Sequence, residues 1–221
     1  LLSPFPEKEF QANTDGEIKK LEMNGYNYKN IKLDGLLTDK KFDGALSIED
    51  PNVEFDFHGG IDFSKELPVF DFNAHLKKAK LSMLNIVQQD TTAQLSFNLV
   101  SNFRGNTLDD AIGTISLKKG ELIRNNKKLN FENLQIQATH AKDTHKITLV
   151  SDYANAELVG QYNSTTIYQS LKNLAFSYLP ALQSNKHTKK EVEAKNDFDL
   201  NLELNNTTPI TDIFTTELTL E

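Results

Sequence analysis

The chain has 221 residues, 14 Phe, no Trp, no Cys and a formal net charge of −7. Without cysteine there is no disulfide framework, thiolate metal site or cysteine nucleophile, and an acidic pI near 5.3 argues against a general nucleic-acid binder, which needs a basic face. No apolar run approaches the ~20 residues of a bilayer-spanning helix, and the length suits one large all-β unit or two small domains.

Residues 1–15 hold Pro4 and Pro6 and little periodicity, and read as an irregular lead-in. They lack the basic-then-apolar order of a signal peptide. The chain is then either cytoplasmic or an internal piece of a longer protein, and an opening with two prolines and no Met favours the second.

From Gly16 the pattern predicts strands. Asn24-Gly25 between two alternating runs is a hairpin signal, because both residues tolerate positive φ. Ile31, Leu33 and Leu37 share a face, and a third strand over 41–49 points Phe42, Leu46 and Ile48 inward. Asp50-Pro51-Asn52 reverses the chain. In the next strand Val53, Phe55 and Phe57 face one way and Glu54, Asp56 and His58 the other. Gly59-Gly60 predicts a bend within that strand, before Ile61 and Phe63. Phe70, Phe72, Ala74 and Leu76 repeat the alternation over 69–78. Residues 79–87 are ambiguous and predict one turn followed by extended chain. Leu95, Phe97 and Leu99 mark a strand over 91–103, and Asn106–Gly113 a short helical turn with Asp109 and Asp110 at its positive end.

Further strands are predicted over 114–118, 121–125, 128–139, 144–150 and 154–162, the last with Ala156, Leu158, Gly160 and Tyr162 on one side. Apolar residues at three- and four-residue spacing then predict an amphipathic helix within 164–183, capped by Ser164 or Thr165. A polar loop over 184–196 precedes strands at 197–205 and 213–220.

About a dozen strands, each with one apolar face, exceed what one open sheet manages without curling or splitting. A closed barrel, a sandwich and a sheet folded lengthwise around a groove all satisfy the alternation. The rarity of polar residues at inward positions fits a packed core or a lipid-filled trough and not an aqueous pore.

Residues for chemistry are sparse. His140 and His145 flank Asp143 at no established metal-ligand spacing, and His58, His75 and His187 stand apart. Asp109-Asp110 is explained by the helix start. The lysine clusters Lys77/Lys78/Lys80 and Lys186/Lys189/Lys190 read as solvated faces. No nucleophile elbow, P-loop, zincin or dinucleotide fingerprint is present. The expectation is a non-enzyme without cofactor or metal, whose function resides in a surface.

The DPN turn with its alternating Phe strand, the N-x-x-G-N-x-x-D-D-x-x-G element over Asn102–Gly113, and the L-x-G-x-Y strand over Leu158–Tyr162 resemble the repeat region of the TamB family. The likeness is to its Bacteroidota type, within the AsmA-like bridge-like lipid transfer proteins, and runs from Gly16 onward. It implies an all-β fold with one amphipathic helix, an elongated antiparallel sheet folded lengthwise (a β-taco) around an apolar groove. It also implies a periplasmic place, an inner-membrane anchor and an Omp85-type outer-membrane barrel as partner, both through the parent chain, and phospholipid acyl chains as cargo. Outer-membrane protein assembly follows from the same likeness, and no nucleic acid is expected. Periodicity and resemblance together select Val53, Phe55, Phe57, Ile61, Phe63, Phe70, Phe72, Leu95, Phe97, Leu99 and Leu158 as groove-lining candidates. The alternative is a scaffold whose exposed sheet edges add strands from unfolded outer-membrane proteins or an Omp85-type partner.

Overall fold

The computed structural model describes residues 10–141, 144–163, 165–178 and 196–214. Eleven strands form one antiparallel sheet in which spatial order equals chain order. They are β1 (Gln11–Met23), β2 (Tyr26–Thr38), β3 (Lys41–Asp50), β4 (Val53–Asp62), β5 (Val69–Lys80), β6 (Gln94–Arg104), β7 (Ile112–Arg124), β8 (Lys127–Ala141), β9 (Thr144–Ser151), β10 (Ala154–Gln161) and β11 (Asp197–Leu204). Two helices interrupt or extend the meander: α1 (Ile167–Tyr178) between β10 and β11, and α2 (Thr208–Phe214) after β11. Among the described residues the sheet is open, because β1 pairs only with β2 and β11 only with β10. Among the described residues each strand packs on its sheet neighbours, and the further element contact of any extent is α2 against β8. Apart from that helix and the β5–β6 connection no second layer faces the sheet there, and one open sheet is neither a closed barrel nor a two-sheet sandwich.

Hairpin chemistry agrees with the sequence. Asn24 and Gly25 take φ of 53° and 70°, and Asn125 and Asn126 take 50° and 61°, the positive pair that two-residue hairpins require. At the DPN turn the buried Asp50 carboxylate accepts from Asn52 N–H at 2.8 Å, Lys29 N–H at 3.1 Å and Tyr26 hydroxyl at 2.5 Å. That closes the β3–β4 turn onto β2.

Several expectations are corrected. β1 begins at Gln11, inside the expected lead-in, because pairing of Gln11–Thr14 with Thr38–Gly35 organises a segment with no apolar periodicity of its own. The two strands expected at 114–118 and 121–125 are one strand, β7, in which Lys119 adopts φ 51° and the register to β6 shifts between Ser96 and Asn98. The segment 106–110 is a turn, in which the Asp110 carboxylate accepts from the Asn106 and Thr107 N–H groups, both at 2.8 Å. The cap of α1 is Asn163, whose side-chain oxygen accepts from Thr165 N–H at 3.0 Å. Residues 213 and 214 close α2 where a strand was expected. Asn206 caps that helix, accepting from Thr208 N–H at 3.3 Å, and Pro209 sits in its first turn, as helix N-termini favour. The remainder of the 213–220 expectation, and the 184–196 loop except Asn196, lie outside the described residues.

Backbone irregularities line up across the strands. Gly35, Gly44 and Gly59 stand opposite one another on β2, β3 and β4. A second line is formed by Asn30 (φ 50°), the β4–β5 register shift between Glu54 and Phe55, the β5–β6 shift between Leu76 and Ala79, and Lys119. Bulges and glycine kinks repeated at one level are the devices that bend a sheet across its strands.

Candidate functional site

Directly opposite residues in an antiparallel ladder share a face, so the register assigns every candidate a side. One row crosses all eleven strands: Ala12, Leu37, Phe42, Ile61, Phe70, Phe103, Gly113, Ala138, Ile147, Leu158 and Leu200. Every member is apolar or glycine. At ~4.8 Å between strands, ten steps make it ~48 Å long. A second row joins Leu33, Leu46, Phe57, Ala74, Leu99, Leu117 and Leu134. A third joins Ile31, Ile48, Phe55, Leu76 and Phe97. Phe72 lies opposite Gly59 and Ser101, whose hydroxyl is internally satisfied by the Phe70 carbonyl at 2.9 Å.

All eleven candidates therefore occupy one face, at different degrees of cover. Val53 is buried in a cluster with Tyr28, Ile31, Leu76, Ala79 and Leu84, and Phe55, Leu95 and Phe97 pack on that cluster. Leu84 comes from the β5–β6 connection, which folds back over this end of the face. Asn85 fastens it by donating to the Asn24 carbonyl at 3.1 Å. Phe57, Ile61, Phe70, Phe72, Leu99 and Leu158 are half-buried, and Phe63 is 56% exposed. Their rings touch in a chain: Phe42–Phe57 centroids are 5.9 Å apart, Phe57–Phe72 4.9 Å, Phe63–Phe70 5.7 Å and Phe70–Phe103 6.0 Å.

Ile115, Leu117, Leu122, Leu129, Phe131, Ile136 and Leu149 belong to the same face by register and were not among the candidates. Their alternation is in the sequence, but Lys119-Gly120 resets its parity, so a strict period of two misses it. A side chain at Gly120 would collide with the Phe131 ring, which is why that position carries none.

The opposite face is polar and held by cross-strand ion pairs. Lys77 meets Asp56 and Lys78 meets Glu54, both at 3.0 Å, Lys146 meets Glu157 at 2.8 Å, and Lys128 meets Glu121. The Asp56 carboxylate raises the Lys77 ammonium above the ordinary lysine range. At the far end of the apolar face His140 and His145 stand opposite each other with ring centroids 4.3 Å apart, and Tyr162 lies 5.4 Å from His145. Burial, with the Asp109 charge, pushes the Tyr162 phenol up. Among the described residues no three His, Cys, Asp or Glu side chains converge as a metal site, and the buried carboxylates Asp50 and Asp90 are engaged in turns. The chemical capacity of this arrangement is adsorption: a long apolar strip with the cross-strand ion pairs on its back.

No protein-family model, curated protein or solved structure matches this chain.

Proposed function

We propose that this chain is a segment of a TamB-type, AsmA-like lipid-transfer bridge. Its apolar face curves into a groove that carries phospholipid acyl chains through the periplasm between the inner and outer membranes. One observation carries the reading: an apolar row unbroken over eleven strands, with no second sheet facing it among the described residues. A wall of this kind takes acyl chains out of water at ~25 cal/mol per Å², about 0.8 kcal/mol per methylene. Because the rows repeat from strand to strand, a chain sliding along them exchanges equivalent contacts and meets no deep minimum. Headgroups stay at the strand ends, in water. The segment acts as a conduit and not as a catalyst. Inner-membrane anchoring, docking to an Omp85-type barrel and support of outer-membrane protein assembly belong to the parent chain.

The test is native mass spectrometry of the chain purified from a Gram-negative host, joined to photo-crosslinking. Co-purified phospholipid, with crosslinks from Phe57 and Phe97 and none from Glu54 or Asp56, is the expected result. Lipid captured from Glu54 or Asp56 instead, or no lipid at all, overturns the reading.

A further inference from the structure

The β8–β9 hairpin carries His140 and His145 beside its turn. Their spacing along the chain suits no ligand pair on a single strand, but the hairpin register turns it into direct opposition, one step from the Ala141–Thr144 pair. Directly opposite residues project from one face, and the two imidazole rings stand with centroids 4.3 Å apart, tilted by 47°. His140 is exposed and His145 half-buried, so the pair can be reached from solvent. The β10 side of the pair holds no competing side chain. Gly160 lies opposite His145, and a β-carbon there would fall 2.2 Å from the Asp197 carbonyl oxygen. Two residues further along, Tyr162 is 5% exposed and its ring lies 5.4 Å from that of His145. Its hydroxyl oxygen is buried with no hydrogen-bond partner among the described residues, although a buried phenol ordinarily finds one.

We infer that His140 and His145 chelate one divalent late transition-metal ion, of the zinc or copper type, across the β8–β9 hairpin. Imidazole nitrogen suits these ions, whereas magnesium and calcium take oxygen ligands and are rejected. Opposite residues of a ladder have β-carbons about 4.5–5.5 Å apart, so side-chain rotation alone brings one nitrogen of each ring to the ~2.0–2.1 Å that zinc requires. Water fills the remaining positions, and the Tyr162 hydroxyl donates to that water, which gives the buried phenol its partner. Two protein ligands make an open, exchangeable site. An ion held by both strands also ties the hairpin together, since the unfolded chain offers no such preformed pair. The inference is independent of whether the apolar face carries lipid.

Isothermal titration of the whole, untagged chain with zinc chloride tests it, with magnesium chloride as the oxygen-seeking control. One zinc ion per chain and no magnesium uptake are expected. His140→Ala, changed at an exposed side chain, and His145→Ala should each weaken zinc binding at least tenfold. His75→Ala, opposite Asp56 on the polar face, should leave it unchanged. Tyr162→Phe keeps the ring and removes the hydroxyl, and should weaken it severalfold, as loss of an outer-shell partner does. Zinc should raise the Tm of the parent and leave that of His140→Ala where it was, while urea midpoints taken without zinc establish that each variant folds. An unchanged affinity in either folded histidine variant overturns the inference. So does an equal loss in His75→Ala, or zinc uptake no stronger than that of magnesium, and an unchanged affinity in Tyr162→Phe overturns the part given to the phenol.

Discussion

Gly35 and Gly44 face each other across β2 and β3 so closely that a β-carbon on Gly44 would fall 2.6 Å from the Gly35 α-carbon. It would also fall 2.2 Å from the Asp34 carbonyl oxygen. Both obstacles are backbone and neither can rotate away. Gly44→Ala should therefore cost about 1–3 kcal/mol, the range of overpacked sites. Gly16→Ala, with nothing within 4 Å of the added carbon, should be neutral or stabilising by about 0.5–1 kcal/mol through the lost freedom of the unfolded chain. Urea midpoints of the two variants check the contrast, and equal midpoints would remove the crowding argument.

The β5–β6 connection supplies a second contrast within two residues. Leu84 is 2% exposed and Met83 54%. Leu84→Ala should lose about 2–5 kcal/mol, as buried leucines do, and Met83→Ala should stay within about 0.5 kcal/mol. Proteolysis near residues 81–92 should quicken in the first variant alone.

Acid sensitivity should centre on Asp90. The Thr92 hydroxyl holds its carboxyl below the usual carboxylate range, with help from the Asn125 and Thr92 N–H groups. A folded-state pKa below the unfolded one means stability that is complete above the unfolded value, about 3.9, and lost as pH falls through the folded value. Asp90→Asn should therefore lower Tm by a constant amount above about pH 5, and the gap to the parent should shrink below about pH 4. A gap that stays constant as pH falls below about 4 would assign the loss to packing instead of charge.

Phe57 stands at the meeting of Phe42 and Phe72, half-buried and outside the cluster around Leu84. Phe57→Glu should leave cooperative unfolding intact while cutting co-purified phospholipid severalfold. Glu54→Gln on the polar face should change neither. A variant that keeps its lipid places the binding surface elsewhere.

The sheet was legible where side-chain chemistry is local. The DPN turn, the Asn24-Gly25 hairpin and the Val53–Phe57 alternation each declare themselves within a few residues. The hidden features depend on partners. β1 starts in polar sequence because β2 recruits it, and β7 reads as two strands because the positive φ of Lys119 flips the facing of the residues after it. The helix α2 has a local signal in its Asn206 cap and in Pro209, which the strand expected over 213–220 leaves out. The candidate face was legible as far as β6 and again at Leu158 on β10, and between them its continuation could be read only from register.

Spatial order equal to chain order makes this sheet modular. Each strand is recruited by the one before it, so loop closure is short at every step and hairpins can form without waiting for distant segments. Stability then accumulates by nearest-neighbour terms, as in a linear array. Duplicating or deleting one hairpin away from the Leu84 cluster and the α2–β8 contact would change the span by two strand spacings, roughly 10 Å, and leave the other strand pairings in place, so reach can evolve by counting hairpins.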